Sequence, residues 1–252
     1  MRVAQSPVRT ALAAISCLAA VILAIVPTQA GSDRPPVLVE LYTSQGCYSC
    51  PPADHLLGRL AEEGEVVALA FHVTYWDRLG WPDPFGTAAG TNRQYQYGRT
   101  ISNGRVYTPQ LVVNGQVHEV GSNEQRVRAA VRAAQKESQP AAPILRWLPN
   151  NRLEVKLPAA AEAAGATIWL ARYDKRRETE ILRGENGGKR LAYHQIVREQ
   201  RSLGVFDGEA RTLQTDVAPG EGSGWGVAVV VQERGPRRVW GAAALAAPKP
   251  DA

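Results

Sequence analysis

The first third of the chain alternates continuous apolar runs with a helical apolar pattern. Residues 37–42 and 66–72 are apolar runs that predict two buried strands, because aliphatic and β-branched residues suit a strand covered on both faces. Between these runs, apolar residues recur at the i, i+3, i+4 and i+7 spacing of one helix face: Ala53, Leu56, Leu57 and Leu60. We therefore predict a strand, a helix and a parallel strand joined in a right-handed crossover.

The pattern continues to about residue 138 with one more helix, a hairpin and a closing helix. Residues 85–101 are compatible with a helix, and 111–114 form a short apolar strand. Asn114-Gly115 is a strong signal for a two-residue hairpin turn, after which residues 116–120 return as the partner strand. Ser122-x-x-Gln125 then resembles a capping box at the start of the closing helix.

The second half has a different texture, with short strand-like runs separated by turns. Residues 139–143 form a compact linker rich in proline and alanine. Strand patterns follow near residues 144–148, 152–157, 167–173, 178–182, 190–203, 210–216, 225–233 and 239–245. We therefore predict an α/β domain over residues 37–138 and an all-β, sandwich-like domain over residues 143–246.

The N-terminal segment, residues 1–30, is typical of a secretory signal peptide. Arg2 and Arg9 supply positive charge, residues 11–26 are mostly apolar, and small residues precede a cleavage position after Ala30. The apolar run is short for a membrane-spanning helix, which needs about 20 residues, so we expect no stable membrane span after cleavage. The predicted location is secreted or periplasmic.

Removal of this segment leaves a mildly basic chain with two cysteines. The formal charge falls from +5 to +3 because Arg2 and Arg9 are lost without any acid, and Cys17 is lost as well. The charges are mixed along the chain and no basic run is interleaved with aromatics, so we predict no nucleic-acid partner. A single close pair of cysteines in an exported chain indicates an oxidising compartment.

The two remaining cysteines form a Cys47-x-x-Cys50 motif where the first strand ends and the first helix begins. A helix N-terminus favours a thiolate over a thiol, and the spacing allows a short disulfide. We expect Cys47 to be the more exposed nucleophile and Cys50 to resolve the mixed disulfide. The alternatives are an inert structural disulfide or part of a zinc site, although the four histidines are scattered: His55, His72, His118 and His194.

Four further residues, two of them weaker candidates, are considered for proton transfer at this pair. Glu40 is the only charged residue in the first predicted strand, and a buried carboxyl there could take the proton of Cys50. The alternative is an edge-facing, solvated acid paired with Lys or Arg. Asp54 and Asp77 are weaker candidates for the same role. His72 closes the second strand, so it should reach the same sheet edge as the cysteines.

A loop rich in aromatic residues and proline, residues 73–84, follows the second strand. It is placed to cover the cysteine pair. Its Tyr75, Trp76 and Trp81 side chains would form either a substrate-contacting rim or a small cluster that holds the loop down.

The element order with these motifs resembles the thioredoxin fold, and Thr108-Pro109 resembles the cis-proline of that superfamily. More narrowly, three segments are similar to the bacterial secreted, thioredoxin-like family catalogued as domain of unknown function 1223. They are Glu-Leu-Tyr-Thr-Ser-Gln-Gly-Cys-x-Ser-Cys-Pro-Pro-Ala-Asp, Phe-His-Val-x-Tyr-Trp-Asp and Tyr-Thr-Pro-Gln. The resemblance implies a thioredoxin-like α/β domain in which Thr108 and Pro109 lie against the disulfide. The Trp-Cys-Gly-Pro-Cys signature of thioredoxin itself is absent.

The favoured function is an exported thiol–disulfide oxidoreductase that acts on protein thiols, protein disulfides or a redox partner protein. It would use Cys47 and Cys50 with Thr108 and Pro109 as the substrate cradle, and it would need no dissociable cofactor and no metal. One alternative is a binding module whose disulfide is a structural staple. Another is a carrier of copper or a similar soft metal that uses Cys47, Cys50 and His72.

Overall fold

The computed structural model describes residues 35–221 and 224–248, together with Met1. Residues 35–221 and 224–248 belong to one compact unit. The predicted signal peptide, residues 1–30, lies outside this described part apart from its first residue. Among the described residues, no helix has the length and apolar character needed to cross a bilayer.

Three α-helices and eleven strands make up the described structure. The elements that precede residue 139 are β1 Val37–Thr43, α1 Pro51–Glu63, β2 Val66–His72, α2 Ala88–Ile101, β3 Gln110–Val113, β4 Val117–Val120 and α3 Glu124–Ala134. The later strands are β5 Ile144–Leu148, β6 Arg152–Leu157, β7 Thr167–Glu180, β8 Arg190–Val205, β9 Arg211–Asp216, β10 Trp225–Gln232 and β11 Val239–Ala246. The sequence pattern thus located most strands, but it divided β7 into two.

The predicted fold class is wrong, because both halves of the chain build one mixed sheet. Its eight strands lie in the order β11-β10-β7-β8-β2-β1-β3-β4. Strand β1 runs parallel to β2 and antiparallel to β3. The long β7–β8 hairpin brings the second half against the first, since Ala70 of β2 pairs in parallel with Ile196 of β8. The result is a mostly β structure instead of an α/β thioredoxin-like domain followed by an all-β sandwich-like domain.

The remaining strands form a separate three-stranded sheet in the order β5-β6-β9. Its Leu153 and Val155 share a buried cluster with Ile168 of β7 and Val229 of β10. A second cluster lies between β1, β2 and the helices α1 and α3, where Leu41 packs with Leu56 and Val127. Since side chains alternate along β1, the neighbouring Leu38 and Tyr42 face a third cluster that includes Tyr97 of α2.

The β3–β4 turn packs directly on backbone from the second half of the chain. Asn114 and Gly115 have φ angles of 50° and 70°, as a two-residue hairpin turn requires. A Cβ atom added at Gly115 would overlap the carbonyl oxygen of Arg237 and lie 2.8 Å from the side-chain nitrogen of Gln232. Only glycine satisfies both the turn and this close approach.

We therefore expect Gly115→Ala to destabilise the protein by about 1–3 kcal/mol more than Gly104→Ala. Gly104 is the matched control, because its φ of 80° imposes a similar backbone strain while a Cβ there meets no atom within 4 Å. Urea unfolding of both variants measures the difference. Equal losses of stability would show that the turn can move away from Arg237 at no cost.

Candidate functional site

Cys47 and Cys50 form a disulfide between the end of β1 and the start of α1. Cys50 is the N-cap of α1, and prolines occupy the first helical positions, where a missing N–H leaves no hydrogen bond unmade. Both cysteines have 0% solvent exposure. The expectation that Cys47 is the more exposed of the two is therefore wrong in this state of the protein.

A buried carboxyl lies one helical turn beyond Cys50. Asp54 has 2% exposure, and its backbone N–H donates to the Cys50 carbonyl oxygen at 3.1 Å. Residues at i and i+4 lie on the same face of a helix, so the Asp54 side chain is on the same side of α1 as Cys50. Burial raises the pKa of Asp54 to about 7, against the opposing charge of His72. Asp54 is therefore poised to exchange a proton near neutral pH.

His72 and Asp83 form a buried hydrogen-bonded pair beside this carboxyl. The distance between His72 Nδ1 and Asp83 Oδ2 is 2.7 Å. Burial alone would raise the pKa of Asp83, but His72 and the backbone N–H groups of Gln45 and Phe85 hold it below its usual range. Asp83 consequently stays ionised and accepts the proton of Nδ1. The same Oδ2 also accepts from the Gln45 N–H at 2.8 Å, which fixes the loop that leads to Cys47.

Four buried polar groups lie near one another on the α1 side of the sheet. Thr43 and His72 end paired strands in register, and alternation along each strand turns both towards α1. Asp54 projects from α1, and Tyr193 of β8 packs edge-on against the His72 ring. Within the described residues, each member has a buried polar atom without a hydrogen-bond partner: Thr43 Oγ1, Asp54 Oδ2, His72 Nε2 and Tyr193 OH.

The sequence analysis identified His72 and ranked Asp54 as a weaker candidate, but it missed Asp83 and Tyr193. Asp54 had a visible signal, since it is the one acid in the buried stripe of α1. Tyr193 had no such signal in the sequence, because its position beside His72 depends on the pairing of β8 with β2.

Glu40 lies on the other face of the sheet, away from α1. It is fully buried, and its Oε1 accepts from Arg93 Nε at 2.6 Å, while Tyr97 donates a hydrogen bond to its second oxygen. The Arg93 guanidinium also donates to the Gln232 side chain at 2.8 Å. Glu40 is therefore committed to a buried ion pair, on the opposite face of the sheet from Asp54.

The Thr108–Pro109 peptide bond is cis, and it lies close to the first turn of α1. A Cβ placed on Gly121 would sit 3.1 Å from Ala53 and 3.3 Å from Pro109, so these elements converge there. The Thr108 hydroxyl accepts from the Trp76 indole N–H at 2.8 Å. The Trp76 side chain also packs close to Gly46, which brings the aromatic loop onto the cysteine loop.

The tip of the β7–β8 hairpin, residues 181–189, also contacts the cysteine loop. Asn186 donates through Nδ2 to the carbonyl oxygens of Gln45 and Cys47, both at 2.9 Å. The Glu185 carboxylate accepts from the Tyr48 N–H at 3.0 Å. These residues belong to the half of the chain in which the sequence showed no catalytic motif.

The described residues contain no group of three or more His, Cys, Asp or Glu side chains that could hold a metal ion. The soft-metal alternative needs His72 together with both cysteine sulfurs. Since the two sulfurs are bonded to each other, no such group is assembled in this state.

Comparison with known proteins shows which family the chain belongs to. Protein AGR_C_4864 from Agrobacterium tumefaciens, known from an X-ray crystal structure, is 28% identical with a TM-score of 0.74, and the alignment covers 86% of this chain and 96% of that one. HBP35 of Porphyromonas gingivalis shares the fold at 13% identity, with a TM-score of 0.60 and coverage of 86% and 76% respectively. No curated protein matches the chain. Residues 38–232 match the family described as protein of unknown function (DUF1223), and the chain therefore belongs to the DUF1223 family.

Proposed function

We propose that this protein carries out thiol–disulfide exchange through Cys47 and Cys50. The observation that carries the proposal is the buried Asp54 carboxyl one helical turn from Cys50, with its pKa raised to about 7. A disulfide that only braces a loop has no need of an acid that changes its protonation near neutral pH. Perturbed carboxyls of this kind concentrate at sites of proton transfer.

The exchange proceeds in two balanced steps. A substrate thiolate attacks Cys47 Sγ, the bond between Cys47 and Cys50 breaks, and Cys50 leaves as a thiolate that takes a proton from Asp54. A second substrate thiol, as its thiolate, then attacks the substrate sulfur of the mixed disulfide. Cys47 leaves as a thiolate that the α1 N-terminus stabilises until it is protonated from solvent. Two substrate thiols become one disulfide, the protein gains two thiols, and the reverse sequence reduces a substrate.

The surroundings of the disulfide support the same chemistry. The prolines after Cys50 start α1 directly at the sulfur pair, so the partial positive charge of the helix lies where a thiolate forms. Thr108 and Pro109 provide a backbone edge close to the same turn. We propose protein thiols or disulfides as partners and a secreted or periplasmic location, where disulfides persist.

The complete burial of both sulfurs favours a second candidate, a binding module with a structural disulfide. Such a module would use the exposed surface around the loop and keep its disulfide oxidised throughout. The two candidates differ in the equilibrium between the disulfide and the dithiol.

The decisive measurement is the reduction potential of the protein in glutathione or dithiothreitol buffers, with Cys47→Ser and Cys50→Ser as controls. Exchange chemistry predicts a potential between about −270 and −120 mV. It also predicts that Cys50→Ser, which retains Cys47, traps a mixed disulfide when the Cys47 thiolate attacks a substrate disulfide and the second substrate sulfur leaves as a thiolate. A potential below about −300 mV would leave the structural staple as the better explanation.

A further inference from the structure

The hairpin tip satisfies backbone groups of the cysteine loop with side chains. Asn186 has 0% exposure, and its side-chain amide nitrogen donates hydrogen bonds to the carbonyl oxygens of both Gln45 and Cys47. Lys189 donates to the oxygen of the same amide at 2.9 Å, so the amide orientation is fixed from both ends. The Asn186 side chain thus stands where another chain would place a backbone N–H.

Glu185 makes the complementary contact on the next residue of the loop. Its carboxylate accepts the backbone N–H of Tyr48, and the Lys189 ammonium lies 4.6 Å from the centre of the Tyr48 ring. A negative charge beside this N–H opposes a thiolate at Cys47, because thiolates are favoured by free N–H groups and positive charge. The tip therefore shields Cys47 from solvent and also disfavours its reactive form.

Three large apolar side chains near the tip are exposed. Tyr48 and Leu182 are 67% and 68% exposed, and Leu79 is 41% exposed. The segment with Leu79 adjoins the tip, since a Cβ on Gly184 would lie 3.3 Å from the Trp81 side chain and 3.9 Å from the Leu79 carbonyl oxygen. An exposed apolar patch rimmed by polar residues is a feature of interaction surfaces, and these three side chains lie beside the charged residues of the tip.

We propose that the hairpin tip occupies the substrate groove of the disulfide and gives way to an extended polypeptide segment that carries a cysteine. This inference rests on the proposed exchange function. Displacement of the tip frees the carbonyl oxygens of Gln45 and Cys47 and the N–H of Tyr48. An extended backbone presents N–H and C=O groups in alternation, so it can form hydrogen bonds with these three groups. The side chains of such a segment would cover Tyr48, Leu79 and Leu182.

The first test is the rate at which dithiothreitol reduces the disulfide in the wild type and in Asn186→Asp. The variant keeps the size of the side chain but turns a carboxylate towards the carbonyl oxygens of Gln45 and Cys47, so the open population should grow. We expect reduction to accelerate at least about tenfold, because the rate follows the fraction of molecules in the competent state. Glu185→Ala, at an exposed position, should accelerate it severalfold without creating a buried defect.

Arg183→Ala is the matched control, since Arg183 is an exposed tip residue without a side-chain hydrogen bond or ion pair among the described residues. It should react at the wild-type rate. If Asn186→Asp and Glu185→Ala react at the wild-type rate, the proposal is wrong. It is also wrong if Arg183→Ala accelerates the reduction as much as they do, because the hairpin would then loosen as a whole and the specific contacts would not matter. The exchange function itself is tested by the reduction potential of the wild type, which is measured without these variants, so failure of the groove and failure of the exchange function give separate signatures.

The second test compares a synthetic extended peptide that contains one cysteine and apolar neighbours with reduced glutathione, at equal thiolate concentrations. A peptide that displaces the tip should react with the wild-type disulfide at least about tenfold faster than glutathione does. In Asn186→Asp the tip is already displaced in more molecules, so the ratio of the peptide rate to the glutathione rate should be smaller. Equal rates for peptide and glutathione in the wild type would contradict a polypeptide substrate.

Discussion

Replacement of Arg93 by methionine is expected to destabilise the protein by about 3–5 kcal/mol, because it leaves the Glu40 carboxylate buried without a counter-charge. Glu40 has 0% exposure and Arg93 has 8%, so water cannot take the place of the lost partner. The pair also links distant parts of the chain, since Glu40 is on β1, Arg93 is on α2, and Arg93 donates to Gln232 of β10. The guanidinium lies 4.4 Å from the centre of the Trp169 ring, which adds a contact from β7.

Thermal or urea unfolding measures this loss, and at about 2–4 °C per kcal/mol the melting temperature should fall by roughly 10 °C. The control is the double variant Glu40→Leu with Arg93→Met, which removes both charges and should recover most of the stability. If Arg93→Met alone is as stable as the wild type, the ion pair contributes little. If the stable double variant has lost exchange activity, Glu40 would regain its place among the proton-transfer candidates.

The sequence predicts the local elements of this protein well and their assembly poorly. Apolar runs and helical spacing locate β1, α1 and β2, because each pattern reports which face of one element is buried. The pairing of Ala70 with Ile196 joins residues far apart in sequence, and no local pattern reports such a contact. Strand β8 was also hard to interpret because charged residues such as Arg198 and Arg201 alternate along it, which is equally typical of a solvated strand in a separate domain.

The candidate site divides in the same way. The Cys47-x-x-Cys50 motif, His72 and the Thr108–Pro109 step were visible because each has a local signal. Glu40 was correctly expected to be buried, but its partner Arg93 lies on a distant element, so the sequence carried no signal of the ion pair between them.

The cover over the disulfide was missed for a related reason. Asn186 lies in a glycine-rich turn that is typical of any hairpin, and its contact with Gln45 and Cys47 depends on how far the β7–β8 hairpin extends. The residues that make this contact lie in the turn at the end of the hairpin. Turn residues show no hydrophobic periodicity, so the sequence pattern could not predict their partners. Burial of the disulfide is therefore a property of the assembled sheet.

Asp54→Asn is expected to make the protein more stable than the wild type at neutral and alkaline pH, by up to about 4 kcal/mol. The ordinary pKa of the carboxyl is 3.8 and burial raises it to about 7 in the fold, so between these values the unfolded chain has released a proton that the folded protein retains. In this window each pH unit lowers the free energy of unfolding by about 1.4 kcal/mol through Asp54 alone. Asparagine has no proton to release, so the variant lacks this slope.

The measurement is urea unfolding of wild type and Asp54→Asn at several pH values from 4 to 8. The difference between the two proteins reports Asp54 together with its coupling to His72 and Asp83, because groups distant from it cancel. Asp83 itself has a depressed pKa, so it is stabilising above its ordinary pKa and less so as the solution is acidified. The difference should grow from pH 4 to about 7 and then level off. A difference that does not change with pH would show that Asp54 ionises normally in the fold. Infrared titration of a buried carboxyl near pH 7, absent from the variant, would identify Asp54 as the group with the raised pKa.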